Sequence, residues 1–382
     1  LLEGLRSCSS DPLLGLIGLY ARDPRPDKID MGVGVYRDER GETPVFRAVK
    51  AAEARLVESQ ASKSYLAPGD DPRFVDLLRP LIFGTEPDGV IGVHTAGGTG
   101  ALRLAASLMA QARPGGTVWL GTPTWPPHAP IFASAGLTLA AYNYFDQGSQ
   151  SVRFDEMIDA FSRASLGDAV LLHGCCHNPT GADLSPEQWN ALAEVIGRRG
   201  LLPVIDLAYQ GLGAGLKSDA AGLRRILDAA EDVIVTYSCD KNFGLYRERV
   251  GALYVRSGRP SRTDLIRANV LALAPMAPDH GASVVRLILE DPALSADWQD
   301  ELAGMQRRIA DLRGALAAGD PGLAALAKQS GLFSLLPLTV DQIVALRRDH
   351  AIYMAESGRA NLAGLSSAAI GVFLSAFAAV RR

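Results

Sequence analysis

The feature that most limits how this chain can fold is a regular alternation between about residues 92 and 255, where short apolar runs are separated by stretches of helical periodicity. A strand buried on both faces reads as a continuous apolar run, and its parallel neighbour is reached only through a crossover long enough to hold a helix. Runs of strand character fall at 90–95, 117–121, 137–142, 169–173, 202–206, 233–237 and 251–255. Helical patterns lie between them at 100–111, 125–135, 154–164, 186–199 and 220–230. Ser185-Pro186-Glu187 opens the fourth helix with a capping residue and a proline at the first helical position. The alternation predicts a parallel α/β sheet with crossover helices.

After about Asp291 the pattern becomes helical, with amphipathic stretches at 298–318 and 338–348, so a separate α+β domain is expected there. Gly319-Asp320-Pro321-Gly322 reads as a turn inside that domain. A chain of 382 residues is too long for one ordinary core and long enough to bury a cofactor site.

Several function classes drop out. The formal net charge of -4 provides no basic footprint for nucleic acid. The apolar stretch 368–380 is too short to span a bilayer, and the amino terminus lacks a basic segment followed by an apolar core, so a cytoplasmic protein is expected. Cys8, Cys175, Cys176 and Cys239 make no disulfide framework. His173-Gly174-Cys175-Cys176-His177 has adjacent cysteines and no second cluster, poor geometry for a tetrahedral metal, so no metal is expected.

Ligands of a parallel α/β sheet sit outside the carboxyl ends of its strands. After the first strand comes Ala96-Gly97-Gly98-Thr99-Gly100, whose glycines let backbone amides approach a phosphate at a helix start, or serve packing alone. Its spacing is not that of a dinucleotide-binding turn. Trp125 follows the next strand and can stack on a flat ring or fill a core. Asn178, in His177-Asn178-Pro179-Thr180-Gly181, can donate to a phenolate oxygen or simply belong to a turn. Asp206 ends an apolar strand, with Tyr209 three residues on; such a carboxylate needs a cation or hydrogen bonds, and a protonated pyridine nitrogen would serve, as would a helix-capping role. Lys241 lies in Ser238-Cys239-Asp240-Lys241-Asn242-Phe243-Gly244, where a desolvated amine can capture an aldehyde cofactor while Ser238 and Arg249 grip its phosphate. Arg359, in Ser357-Gly358-Arg359, offers a fork of donors for a substrate carboxylate. Each of these residues alone has an ordinary structural explanation; their order along successive strands does not.

With these residues in place, the chain closely resembles the aspartate and aromatic amino acid aminotransferases, fold-type-I pyridoxal phosphate enzymes. The likeness runs from Asp11-Pro12-Leu13-Leu14-Gly15-Leu16 through Gly32-Val33-Gly34-Val35-Tyr36 and Lys63-Ser64-Tyr65-Leu66 to Ser357-Gly358-Arg359. It implies a large domain over 44–300 with a mainly parallel seven-stranded sheet, and a smaller α+β domain built from 1–43 and 301–382. It implies pyridoxal 5'-phosphate as cofactor, with Lys241 forming the internal aldimine and acting as base in a reaction through quinonoid intermediates. Asp206 would pair with the ring nitrogen, Asn178 and Tyr209 with the ring oxygen, and Trp125 would stack on the ring. Gly97, Gly98, Thr99, Ser238 and Arg249 would hold the phosphate, joined by Tyr65 reaching into the neighbouring subunit of a homodimer with shared sites. Arg359, Gly34, Trp125, Asn178 and Leu271 would line the substrate pocket, with His128 and His177 near Asp206.

The chain also departs from that family. Members acting on dicarboxylic acids carry an arginine nine residues before the histidine of a Pro-Pro-x-His-Gly stretch. Here the stretch is Ala277-Pro278-Asp279-His280-Gly281, the position holds Leu271, and Arg267 lies four residues early; an insertion could restore Arg267 to the role, and otherwise the pocket has lost its distal carboxylate clamp. Ala274 and Pro275 replace the usual Tyr and Ser, Pro127 the usual Asn, and Asp240 the usual Ser before the lysine. An anion at Asp240 would oppose a phosphate unless it turned to solvent, pointed elsewhere or held a proton. The expectation is an aminotransferase for an apolar, aromatic or unusual amino acid rather than a dicarboxylate. The alternative is the same fold diverted to elimination, replacement or carbon-carbon bond formation on a bulky amino acid such as S-adenosylmethionine. A non-catalytic binding protein is disfavoured by retention of the whole cofactor set.

Overall fold

The computed structural model describes residues 12–66, 71–85 and 87–381. Cys8 and Asp11 lie outside the described residues.

The expected strands form one sheet: β1 (Val90–Ala96), β2 (Thr117–Thr122), β3 (Thr138–Asn143), β4 (Ala169–His173), β5 (Leu202–Leu207), β6 (Asp232–Ser238) and β7 (Val250–Ser257). Their spatial order is β1-β7-β6-β5-β4-β2-β3 in a seven-stranded sheet. Neighbours from β6 to β3 run parallel, whereas β7 is antiparallel to both β6 and β1. No crossover helix lies between β6 and β7, so the chain turns back on itself there. Alternate residues of the inner strands enter different cores. Val233, Val235 and Tyr237 pack into one with Ile205 and Leu207, while Ile234 and Val204 pack into the other with Leu171 and Leu253. Burial on both faces explains why the strands read as unbroken apolar runs.

Helices cover the sheet, including Gly97–Ala112, His128–Ser134, Phe154–Arg163, Pro186–Arg199 and Ala221–Ala229. Ser185 accepts from the Gln188 amide and its own amide donates to the Gln188 side chain, completing the cap expected at Pro186. Two more helices, Arg47–Ser59 and Pro72–Phe83, were not anticipated from the sequence.

A third cluster joins Ile29 and Met31 to Leu336, Ile352, Leu362 and Phe373. The two-residue strand Ile29–Asp30 pairs with Ile352–Tyr353, fastening the chain's early segment to its carboxy-terminal part. The 28-residue helix Pro292–Gly319 contributes to two of the clusters. Its Trp298, Leu302 and Ile309 enter the sheet core, while Leu312 and Leu316 enter the third cluster. Asp320 then accepts from the Gly322 amide at 2.7 Å, making the expected turn.

Candidate active site

A cavity of about 190 Å³ opens at the sheet's ligand-binding edge. Gly98, Thr99, Trp125, Asn178, Asp206 and Tyr209 line it, as do Ser238, Lys241 and Arg249. The groups singled out after successive strands thus converge. A larger cleft of about 520 Å³ lies at the opposite strand ends, near Thr117, Ala169, Leu202 and Asp232, and gathers none of these groups.

Asp206 forms the floor. It is buried, and its neighbours across the sheet register are His173 on β4 and Thr236 on β6. The Thr236 hydroxyl donates to Oδ1 at 3.0 Å, and His128 Nε2 lies 3.1 Å from Oδ2. Burial alone would raise the Asp206 carboxyl, yet these hydrogen bonds and the nearby imidazoles outweigh it and hold the group below the usual value. With His128 donating from Nε2, its Nδ1 accepts from the Thr124 hydroxyl, whose oxygen accepts in turn from His173 Nε2, each at 2.9 Å. Burial depresses His173 to about 3.

Lys241 stands opposite, its Nζ 5.3 Å from the centre of the Tyr209 ring. Burial lowers its ammonium below the ordinary lysine value, while Asp240 and Asp206 partly offset the shift. Burial also raises the Tyr209 phenol, so the hydroxyl keeps its proton at neutral pH. Asn178 donates to that hydroxyl from Nδ2 at 3.2 Å, leaving its buried Oδ1 without a hydrogen-bond partner among the described residues.

Three strand ends meet beside the glycine turn. Gly97 begins its helix at φ +69°, where an L side chain is strained, and a Cβ there would stand 2.6 Å from Arg249 Nη2. A Cβ at Gly98 would lie 3.1 Å from the Ser238 Cβ. Because β7 is antiparallel, its amino end lies beside the carboxyl ends of β6 and β1, pairing Gly251 with Ser238 and Val250 with Ala96. Arg249 takes φ +55°, a conformation that costs a non-glycine residue about 1 kcal/mol. The helix start, the serine hydroxyl and the guanidinium suit a phosphate, and the amine opposite suits its aldehyde. The residues present therefore fit pyridoxal phosphate.

Asp240 is not turned to solvent. It is 2 % exposed and forms an ion pair with Arg249 at 2.5 Å.

Other expected residues lie apart. Arg359 donates from Nη2 to the Gly32 carbonyl at 2.9 Å, and its guanidinium sits 4.7 Å from the centre of the Phe333 ring. A Cβ at Gly34 would meet Phe333 at 2.8 Å, so that glycine admits the ring. Leu271 packs against the second core from the helix Thr263–Leu273, and Arg267 is exposed on the same helix; neither lines the cavity. Tyr65 is 88 % exposed, and His177 stacks on Tyr144 at 3.9 Å.

Phe333, Thr124, Thr236 and the hydrogen-bonding role of His173 escaped the sequence reading. Thr236 sits inside a strand rather than after one, and only the strand register brings it opposite Asp206. Cys175, Cys176 and Asp219 cluster within metal-ligand reach. The Asp219 carboxylate already accepts from the amides of Gly211, Gly213 and Ala214, and the Cys175 and Cys176 thiols are held above their usual values, so the cluster is a hydrogen-bonded loop anchor.

Comparison with known proteins identifies the family. Residues 26–377 match the family model described as aminotransferase class I and II. The chain is 52 % identical to the tyrosine aminotransferase of Rhizobium meliloti (strain 1021), covering 96 % of each protein. It is 40 % identical to the aspartate aminotransferase of Escherichia coli (strain K12), covering 95 % of this chain and 96 % of that one. The crystal structure of an aromatic-amino-acid aminotransferase from Burkholderia pseudomallei, covalently bound to pyridoxal phosphate, superimposes with a TM-score of 0.96 at 34 % identity and full coverage of both chains. The alternative of a diverted elimination or addition has no support among these relatives. The chain belongs to the aminotransferase class I and II family and is a pyridoxal-phosphate-dependent transferase.

Proposed function

We propose that the protein is an aminotransferase for aromatic α-amino acids, passing the amino group to a keto acid. The observation that carries this reading is a desolvated amine, Lys241, sharing one cavity with a buried carboxylate, Asp206, that is held charged. Two features favour an aromatic donor: the higher identity to the tyrosine than to the aspartate aminotransferase, and Leu271 where a dicarboxylate enzyme would carry its distal arginine.

Pyridoxal phosphate supplies an aldehyde for an amine to capture and a conjugated ring that takes up the electron pair left when a bond at the substrate α-carbon breaks. Lys241 would hold the aldehyde, and Gly97, Gly98, Thr99, Ser238 and Arg249 the phosphate. The Asp206 carboxylate would keep a proton on the ring nitrogen, with His128 and Thr236 fixing both of its oxygens. Asn178 and Tyr209 would donate to the ring oxygen, and the Trp125 indole would cover a ring face. Arg359 would orient the substrate by a paired grip on its α-carboxylate, beside Gly34 and Phe333. The Lys241 Nζ, freed by the incoming amine, would take the proton from the substrate α-carbon and deliver it to the carbon on the far side of the substrate nitrogen.

The protein is proposed to act as a cytoplasmic homodimer of two-domain subunits divided at residues 43/44 and 300/301. The second boundary would fall inside the helix Pro292–Gly319, making that helix the structural link. Buried free thiols at Cys175, Cys176 and Cys239 suit a reducing compartment. The exposed Tyr65 ring and the Leu271 helix, away from their own cavity, would complete the partner's site.

The test is turnover of tyrosine or phenylalanine with 2-oxoglutarate, read as aryl keto acid and glutamate by mass spectrometry. Aspartate turning over as fast as the aromatic donors would overturn the substrate assignment.

A further inference from the structure

The ion pair between Asp240 and Arg249 lies inside the phosphate cradle. Arg249 Nη1 donates to Asp240 Oδ2 at 2.5 Å and to the Tyr246 carbonyl at 3.1 Å, while Nη2 faces the Gly97 turn. One edge of the guanidinium is therefore committed, and a paired grip on phosphate through both terminal nitrogens is blocked. The same Asp240 oxygen stands 3.8 Å from Lys241 Nζ, placing the carboxylate between the two cations at the cofactor's ends. Its other oxygen, Oδ1, is buried without a hydrogen-bond partner among the described residues and lies 3.5 Å from where a Gly97 Cβ would stand, against the glycine turn. The Asp240 amide donates to Ser238 Oγ at 3.2 Å, so the hydroxyl proton of Ser238 stays available to a phosphate.

We propose that Asp240 is a built-in competitor for the cofactor's phosphate, a specificity-determining residue that makes cofactor binding in this protein looser and more readily exchanged than a neutral side chain there would allow. This rests on the cofactor placement proposed above. Formal charges of Arg249 and Asp240 cancel, leaving the helix start and Ser238 as the cradle's uncompensated donors. An incoming phosphate must share Arg249 with the carboxylate or displace it, and two anions on one cation in a partly desolvated pocket repel. Most of the penalty follows the phosphate, because Asp240 Oδ2 lies 2.5 Å from Arg249 Nη1 and 3.8 Å from Lys241 Nζ.

The experiment compares the cofactor-stripped wild type with Asp240→Asn, which keeps shape and removes charge, and with Asp240→Ser. Each is titrated with pyridoxal phosphate and with pyridoxal, which lacks the phosphate, following the absorbance of the captured aldehyde. Both variants are expected to bind pyridoxal phosphate about tenfold or more tighter, as relief of a like-charge contact implies. Pyridoxal affinity should rise by much less, through the loss of the Asp240 carboxylate beside the Lys241 ammonium. Inorganic phosphate should compete at lower concentration in the variants, and their cofactor-free forms should melt at lower temperature because Arg249 has lost its partner. Unchanged or weaker pyridoxal phosphate binding, or an equal gain for pyridoxal, overturns the competitor role while leaving the cofactor assignment standing. Failure of all three proteins to capture either aldehyde overturns both. If Asp240→Asn does not fold, the Asp240→Ser arm decides alone.

Discussion

The Trp298 indole donates from Nε1 to the backbone carbonyl of Asn242 at 2.7 Å while its ring stacks on Phe243 at 4.3 Å, tying the long helix to the residues directly after Lys241. Trp298 is fully buried. Trp298→Ala is expected to cost about 3–5 kcal/mol in denaturant unfolding. Trp298→Phe, which keeps the stack and leaves the carbonyl unpaired, should cost about 1–3 kcal/mol. Both should broaden or shift the absorbance of the lysine-bound cofactor, since the loop carrying the amine loses its brace.

Replacing Lys241 with alanine should abolish capture of the aldehyde and turnover together. An added primary amine such as methylamine should restore part of the activity, because the missing function is a base at one position. Undiminished turnover by Lys241→Ala would contradict the assignment.

Burial lowers the Lys241 ammonium from its unfolded value, so more of the amine is neutral at a given pH than in free lysine. Capture of pyridoxal by the cofactor-free protein should rise with pH through a midpoint below 10.5, the ordinary lysine value. The stability effect has a definite sign. Between the folded and unfolded values the unfolded chain binds more protons at this site, so stability rises with pH across that window. Lys241→Met should flatten that rise.

His173 acts at lower pH. Its folded value of about 3 lies below the ordinary 6.5, so the unfolded chain again binds more protons in between. The contribution is present above about 6.5 and is lost as pH falls towards about 3. Melting temperature should fall over that window, and His173→Gln should flatten the fall without removing the hydrogen bond to Thr124.

Substrate choice can be tested at the Thr263–Leu273 helix. Leu271→Arg is expected to raise kcat/KM for aspartate about tenfold or more, the lower end of what a buried charge pair contributes. Arg267→Ala should leave the ratio of aspartate to tyrosine turnover unchanged, since Leu271 and not Arg267 stands nine residues before His280. A large loss of aspartate activity in Arg267→Ala would show that this arginine has taken over the distal role.

Much of the sheet, and the convergence of the candidate residues on one cavity, could be read from the chain alone. Strands such as 169–173 and 202–206 bury both faces and stand out as apolar runs, and the residues after them face the cavity as the strand-end rule requires. What escaped depends on contacts distant in sequence. Pro72–Phe83 carries Pro80 inside it, a residue that argues against a helix until packing of Phe74, Leu78 and Ile82 overrides it. Phe333 reaches Arg359 and Tyr209 from a three-residue strand with no motif of its own. Asp240 could not be placed from sequence because its direction depends on Arg249 and on the Gly97 turn, brought together only by strand pairing.

The reversal of β7 turns a largely buried connection into a ruler. Lys241 and Arg249 belong to the same short link between β6 and β7, and the pairing of Gly251 with Ser238 fixes both of its ends. The span from aldehyde to phosphate in the cofactor is a covalent constant, so in the proposed placement the chain length between the amine and the guanidinium has to match it. An inserted or deleted residue between 241 and 249 would disturb that match even with every side chain kept. Elsewhere on the molecule a loop can lengthen by drift; here length itself is a functional residue.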